Sequence, residues 1–501
     1  MATYNKDPEK NIRLPLYGST ATRAGNSTKD QRFLNCILES DKNETLRQTI
    51  TSLFKRPGLA QEYTTAAGEG RNLVYFNGST FAAVGNKVYK CPSTTPIITL
   101  TNSTGPVGMI LGDSQELGQY LFVCDGVKAW IVETDDTVTE ISDGMLDSIL
   151  ITDGGTGYTT ATISFTGGGG SGATATATLD AGVIIAIDIT DAGTGYTSAP
   201  TVVITGDGTA AAADSFLTGF PNPHVPNPAF MDGYILLIKG TDIWNCYLDD
   251  PMRWSPSDYI TAEMYPDPII GLARQNNQLL ALGEYSTEYF YDAGNATGSP
   301  LNKNDAITIQ VGLASLSTVS DHEKTVIWVG QSRLGGRSVW MIDGFQAKQI
   351  SASPIERVLD LEADMSLVTG FVVRTKGHYL YLINLPTANR TFIYDIEEKL
   401  WMEWSSFDGV NHNMFNYVAE CDNNSGYSLL LHSSLGIVSR LDPEVYKDLS
   451  RPIRYQMNSP RFDGGSYNRK SLTTLAVVGD VNSTTPQLLS VRWSDDDQQT
   501  Y

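Results

Sequence analysis

Apolar and polar positions along the chain are grouped into pairs of short strands, each pair folded about a tight polar turn and recurring about every 45 to 50 residues. The segments LVYFNGSTFAAVGNKVYKC (Leu73 to Cys91), QYLFVCDGVKAWIVE (Gln119 to Glu133), GYILLIKGTDIWNCYLD (Gly233 to Asp249) and NQLLALGEYSTEYFYD (Asn277 to Asp292) open the series. It continues with KTVIWVGQSRLGGRSVWMID (Lys324 to Asp343), HYLYLINLPTANRTFIYDIEEKLWMEW (His378 to Trp404) and YSLLLHSSLGIVSRLD (Tyr427 to Asp442), seven units in all. A lone hairpin cannot bury both faces, whereas small sheets packed face to face in a ring cover nearly all of them and protect their edges. The pattern therefore predicts an all-β fold, a β-propeller of six or seven blades, with seven favoured by the count.

Turn pairs such as Asn77-Gly78, Asp125-Gly126 and Asp343-Gly344 separate the strands. Helix signals are scarce. The clearest is Ser353-Pro354-Ile355-Glu356, which reads as a capping box with proline at the first helical position, opening a helix from Ile355 to about Leu367.

Between the second and third units lies a stretch of different composition, residues 146–214, rich in Gly, Thr and Ala. It contains a duplication: Ile151 to Thr178 aligns with Ile189 to Ala213 at an offset of 38, placing Asp153 over Asp191 and Tyr158 over Tyr196. Alternating Thr/Ala and Val/Ile predicts short antiparallel strands in a small β domain carried on a propeller loop. The glycine tract Gly167 to Gly172 is followed by a strand-like ATATATLDAG with no lysine. A phosphate cradle needs a helix at that point, so a hairpin turn or a protein-docking surface is the better reading. GFPNPHVPNPAF (Gly219 to Phe230) then reads as an extended connector containing His224. The divisions expected are 1–70, an N-terminal arm and first strands; 71–145, the first blades; 146–214, the insert; 215–450, the remaining blades; and 451–501, a C-terminal β region. The first 70 residues supply either an arm reaching another subunit or a strand completing the last blade.

With 501 residues, 41% apolar and 10% aromatic, the chain has ample material for a core. No run approaches the roughly 18 to 20 apolar residues of a membrane span, and the charged N-terminus MATYNKDPEKNIRLP has no apolar signal region. These features predict a soluble protein made in a cytoplasm. The five cysteines (Cys36, Cys91, Cys124, Cys246, Cys421) form no CxxC pair and are expected as buried thiols. Net charge is −21, unevenly spread: residues 1–60 carry ten Lys/Arg against six Asp/Glu, and residues 451–470 carry five against one. The body between is strongly acidic, which disfavours an electrostatic grip on nucleic acid. It fits either simple solubility or a surface that lies near DNA without adhering to it.

Catalytic patterns are missing. The sequence has no HExxH, GxSxG or GxxxxGK[ST] and no metal-spaced Cys/His cluster, and the five histidines (His224, His322, His378, His412, His432) are scattered. We expect no catalytic, cofactor-binding or metal-binding residues and no cofactor. WSDDDQQTY (Trp493 to Tyr501) resembles the Asp-box hairpin turn of sialidases, a feature of fold and not of catalysis. Its position at the chain end predicts a truncated version of a longer protein.

The runs DPIIGLARQNNQLLALGEYSTEYFYDAG, IQVGLASLSTVS and VIWVGQSRLGGRSVWMIDGFQAKQISASPIERVL, within Asp267 to Leu359, resemble the packaged-DNA stabilisation proteins of short-tailed bacteriophages, also called tail accessory, head-completion, tail hub or nozzle proteins. The resemblance extends to HYLYLINLPTANRTFIYDIEEKLWMEW and back to RFLNCILES and KRPGL; the Gly/Thr insert departs from it. It implies a non-enzymatic virion tail protein, assembled in the host cytoplasm, forming a ring of six copies under the portal-adaptor. Such a ring retains packaged DNA, passes it without sequence-specific binding during ejection, and anchors fibre, spike or needle proteins. The competing class is a propeller glycan-binding protein or glycoside hydrolase, for which Trp244, Trp254, Trp340 and Trp404 would be the stacking residues.

Overall fold

The computed structural model describes residues 32–43, 48–262, 265, 267–295, 297–322, 325–423, 426–458 and 489–491. WSDDDQQTY lies outside the described residues, as do much of the basic stretches 1–60 and 451–470. Each of the seven hairpin units forms the middle of a separate sheet, and the sheets make a seven-bladed β-propeller.

Blades 1 to 4 are four-stranded antiparallel sheets with inner strands Gly70–Phe76, Gly108–Ser114, Val225–Met231 and Ile269–Gln275. In blade 5 the inner position is split between Gly312–Leu313 and Ser320–His322, both pairing with Thr325–Gln331. Blade 6 begins at Thr369–Thr375 and blade 7 at Tyr417–Asp422. Successive inner strands pack against one another around the axis, and that of blade 7 returns to that of blade 1.

The apolar runs become explicable from the packing. In blade 2, Tyr120 to Cys124 are all fully buried; Tyr120, Phe122 and Cys124 join Trp254 between blades 2 and 3, while Leu121 and Val123 join Phe76 and Trp130 between blades 1 and 2. Blade 4 divides likewise, with Leu279 and Ala281 facing blade 3 and Leu280 and Leu282 facing blade 5. Strand side chains alternate between faces, so a strand between two neighbours must be apolar at every position. All seven interblade gaps hold such a core, the remaining three being centred on Trp401, Trp404 and Leu429. Each buried large side chain contributes about 1.5–3 kcal/mol.

Asn77 and Gly78, both at positive φ (44° and 75°), form the two-residue turn that joins Phe76 to Ser79. That geometry matches the twist of the flanking strands and favours Asn-Gly.

The helix spans Ser353–Asp360 and ends well before Leu367; Met365–Leu367 is a separate 3₁₀ turn. Ala352 occupies the N-cap position without a side-chain cap, so the expected capping box is absent. Glu356 instead accepts hydrogen bonds from Ser351 Oγ (2.9 Å) and Gln349 Nε2. The helix lies between blades 5 and 6, where Ile355, Val358 and Leu359 are buried.

Three nested antiparallel pairs form the insert: Leu146–Thr156 with Thr209–Leu217, Ala161–Thr166 with Thr201–Gly206, and Thr174–Asp180 with Val183–Asp191. The first strand of each repeat pairs with the last strand of the other, in equivalent register: Ile151 opposes Ala213 and Ile189 opposes Ala175. The duplication is thus an intertwined pseudo-twofold unit. It leaves the propeller between blades 2 and 3 and is fixed at its root by Gly219 N–H to Trp254 O (2.7 Å) and by Arg253 to Asp147 (3.3 Å).

Candidate assembly surfaces

The N-terminal segment closes the ring. Gly58–Thr64 lies antiparallel to Ile437–Asp442 as the fourth strand of blade 7, before the chain enters blade 1. Arg32–Leu34 adds a parallel strand to the outside of blade 6, followed by Gln456–Asn458. Between them, Cys36–Asn43 and Gln48–Lys55 form a two-stranded ribbon. Of the two readings of the first 70 residues, the strand that completes the last blade is the one seen here.

Arg56 and Asn35 hold this closure together. The Arg56 side chain is inaccessible to solvent. Its Nε donates to Asn35 Oδ1 (2.9 Å), Nη1 to Pro57 O and Asp448 Oδ1 (both 2.9 Å), and Nη2 to Ser405 O (3.1 Å) and Asp448 Oδ2. Trp404 and Phe415 lie at 5.6 and 5.1 Å from the guanidinium carbon. Asn35 also accepts from Ser405 N–H (2.8 Å) and donates to Arg454 O (2.7 Å) and Ser405 Oγ (3.1 Å). Every guanidinium donor direction has an acceptor, the condition under which a buried cation is tolerated. A second ion group lies beside it, with buried Glu403 held between the partly exposed Arg32 (2.9 Å) and Arg390.

Sequence reasoning assigned no role to Arg56, Asn35 or Asp448. The available signal was the position of Asn35 inside RFLNCILES and of Arg56 inside KRPGL, two of the runs that carry the phage-family resemblance, whereas Asp448 lies in neither.

The histidines do not converge. His224, in the connector, accepts from Gly126 N–H at Nε2 (3.2 Å) and pairs Nδ1 with Pro221 O (2.9 Å); burial drives it down to about 4, against opposing pulls from Pro221 and Asp125. His378 pairs Nδ1 with buried Asp395 (2.7 Å), whose other oxygen accepts the N–H groups of Glu397 and Glu398. Burial raises the Asp395 carboxyl even though those hydrogen bonds and His378 oppose it. The pair braces the turn after Arg390–Asp395. His412 meets Ser405 Oγ (2.8 Å), and His432 accepts from Ser434 and Leu435 N–H. The His322 side chain lies outside the described residues. Among the described residues no group of three or more His, Cys, Asp or Glu is placed to hold a metal ion.

Four tryptophans were candidates for sugar stacking. Trp254 and Trp404 are fully buried, Trp340 is half-buried against the blade 4–5 core, and Trp244 stacks on Tyr259 at 5.0 Å. Trp244 and Trp254 pack on the core between blades 2 and 3, Trp340 on that between blades 4 and 5 and Trp404 on that between blades 6 and 7, so the four form no common platform. All five cysteines are buried and unpaired.

The glycine tract receives a mechanical explanation. Tyr196 is buried against it: a Cβ on Gly170 would stand 2.5 Å from Tyr196 Cγ, and one on Gly168 2.9 Å from Cδ1. Thirty-eight residues on, Gly208 and Gly206 seat Tyr158 in the same way, at 2.4 Å from Cγ and 3.1 Å from Cδ1. The glycines exist to let two aromatic rings lie flat on backbone. Asp153 and Asp191 match as well, each accepting from the N–H two residues on at 2.9 Å.

Among the described residues no helix is long and apolar enough to cross a membrane. What remains on the surface of the described residues is suited to contact: a projecting insert, an outer rim at residues 446–458, and exposed apolar side chains on both.

Comparison with known proteins agrees with this architecture. Residues 177–425 match the family model described as bacteriophage P22 Gp10, beta-propeller. The tail hub protein gp10 of Salmonella phage P22 is 28% identical over 192 residues, which is 36% of this chain and 40% of that protein. Among solved structures, similarity is found to the N-terminal domain of Nup159 (TM-score 0.36, 10% identity, 85% of this chain and 98% of that one) and to the WD40 repeats of RRP9 (0.36, 7%, 77% and 99%). The computationally designed Ika8 protein aligns similarly (0.34, 11%, 77% and 99%). These scores are too low to carry an argument. The match of residues 177–425, just under half of the chain, to the P22 Gp10 propeller model and the 28% identity to the P22 tail hub protein support a tail hub family of short-tailed bacteriophages for this seven-bladed chain.

Proposed function

We propose that this chain is a structural subunit of a short-tailed phage virion, one of six copies in a ring under the portal-adaptor that retains packaged DNA, conducts it during ejection and anchors further tail proteins. The observation that carries the reading is the closed propeller itself. Its ends are locked by a buried, fully satisfied arginine, and the His378–Asp395 pair and Asp448 serve a turn and the closure. A rigid body with multivalent surfaces suits a part that resists outward pressure from DNA and does no turnover. An acidic body leaves the duplex free to slide, because phosphate binding needs clustered Lys and Arg. In this reading the chain is no enzyme, folds in the host cytoplasm and resides in the tail; the propeller and the insert at 146–214 act as body and attachment.

The test is a phage lacking the chain, together with a reconstruction of the intact tail. Particles without the protein should fill with DNA and then lose it, and the reconstruction should place six copies about the channel. Heads that keep their DNA would overturn the retention role, and a lumen lined by Lys and Arg with acidic side chains outward would overturn the sliding role. Cleavage of polysaccharide by purified protein would return the glycoside-hydrolase reading.

A further inference from the structure

We propose that copies of this chain join head to tail, the insert of one seated on the rim that residues 446–458 build outside blades 6 and 7 of the next. The inference rests on the ring reading and names the two surfaces that make it.

The first surface is the outer face of the insert ribbon formed by Leu146–Thr156 and Thr209–Leu217. Ser148 opposes Phe216 and Leu150 opposes Asp214, so these four side chains share one face. Leu150 and Phe216 are 57% and 48% exposed, whereas Ile149 and Ile151, on the other face, pack into the insert core. A ribbon that buries one face and exposes Leu and Phe diagonally on the other has an unpartnered apolar surface. Its charge has one sign only. From Ala129 to Ile238 the sequence contains no lysine or arginine, and Asp153, Asp180, Asp188, Asp191, Asp207 and Asp214 of the insert are exposed.

The second surface lies across the ring. Counting around the propeller, the insert leaves between blades 2 and 3; the junction of blades 6 and 7 is three blades away in one direction and four in the other. There, Lys447–Asp448 and Arg451–Pro452 are the outermost strands of blade 7. Tyr446, Leu449 and Tyr455 are 46%, 36% and 43% exposed, interleaved with exposed Lys447, Arg451 and Arg454. Asp448, within this group, is turned inward onto Arg56, while exposed Glu444 and Asp408, the latter beside Arg451, flank it and leave three outward cations against two acids. Tyrosine and arginine beside an apolar side chain is the composition that dominates protein–protein contact energies.

The two patches are complementary in sign, both carry apolar area, and they sit on nearly opposite rims of one body. Two different patches on one subunit make a heterologous contact, which repeats from copy to copy and closes into a ring when the rotation allows. Complementary charge also rejects insert-to-insert and rim-to-rim pairing. A duplex is the less fitting occupant of the rim, since three exposed cations on a strongly acidic chain make few phosphate contacts.

The experiment uses the full chain with Phe216→Cys in one preparation and Tyr455→Cys in another, the native thiols being buried. A short bis-maleimide should join the two proteins when mixed and leave each alone largely unjoined. The double substitution Arg451→Glu with Arg454→Glu should weaken self-association, read by light scattering, at least tenfold, and Phe216→Asp should do the same from the other side. Unchanged self-association in both variants, or no mixed cross-link, would overturn the proposal while the ring stands. A wild-type chain that stays monomeric at every concentration would overturn the ring reading with it. Loss of duplex binding in the arginine variant with intact assembly would reassign the rim to nucleic acid.

Discussion

Arg56 and Asp448, separated by 392 residues in sequence, meet through a two-pronged, largely buried ion pair at the seam where the propeller closes. The pair joins the segment that supplies the last strand of blade 7 to the segment that supplies its outer rim. Closure depends on it because the remaining donors of the same guanidinium reach Asn35, Pro57 and Ser405.

Arg56→Ala takes from Asp448 both arms of its ion pair and from Asn35 Oδ1 one of its two donors, and breaking a buried pair from one side costs about 3–5 kcal/mol. Thermal unfolding should shift down, and limited proteolysis should cut near Gly58 to Thr64 before the other blades. Arg56→Lys should recover little, because an ammonium cannot reproduce the fork. Wild-type resistance to protease in the alanine variant would show that strand pairing alone secures the seam.

The insert should respond symmetrically to overpacking. Gly170→Ala and Gly208→Ala each place a methyl within 2.5 Å of a tyrosine ring, a clash worth roughly 1–3 kcal/mol. Hydrogen exchange should accelerate across residues 146–217 in both variants while blades 4 and 5 keep their protection. Acceleration in only one of them would break the functional equivalence of the two repeats.

Glu420, on the inner strand of blade 7, gives a pH dependence of defined sign. Burial pushes its carboxyl up from 4.5 to about 7, with Asp422 adding and a Ser428 hydrogen bond opposing. A raised acid is neutral in the folded protein where it is ionised in the unfolded chain. Its contribution is therefore fully present below pH 4.5 and lost as pH rises through 7. Glu420→Gln should remove that loss, gaining on the order of 2 kcal/mol over wild type at pH 8.5 and little at pH 5. Denaturant midpoints at the two pH values check this; parallel profiles for the two proteins would exclude it.

Burial pushes Cys36 and Cys246 up to about 12 and Cys91 to about 11, and it raises Cys124 and Cys421 as well. Reaction requires thiolate and access, and the folded chain provides neither. A thiol reagent at pH 8 should find essentially no reactive cysteine in the native protein and all five after denaturation. Rapid native labelling at one position would place that cysteine at a site of local opening.

The seven strand pairs were legible because a blade's middle strands are buried on both faces. Tyr120 to Cys124 and Leu279 to Leu282 must then be apolar at every position, and the turn residues Asn77 and Gly78 mark where the hairpin reverses. The same local logic exposed the 38-residue duplication, since each repeat carries the aspartate, tyrosine and glycines that its own fold needs. The helix cap was misread because Ser353 and Glu356 fit a local pattern, whereas Ser351 and Gln349, on the approach to the helix, compete for the glutamate.

By itself, then, the sequence determined the seven strand pairs, the β nature and duplication of the insert and the lack of a recognisable catalytic motif, because all three are written in neighbouring residues, while it left six or seven blades open. Only the tertiary structure decided how the ring closes and which surfaces the closure creates. The partners of Arg56 lie up to 392 residues away, and no periodicity or spacing encodes a contact whose two halves meet only after seven blades have come full circle.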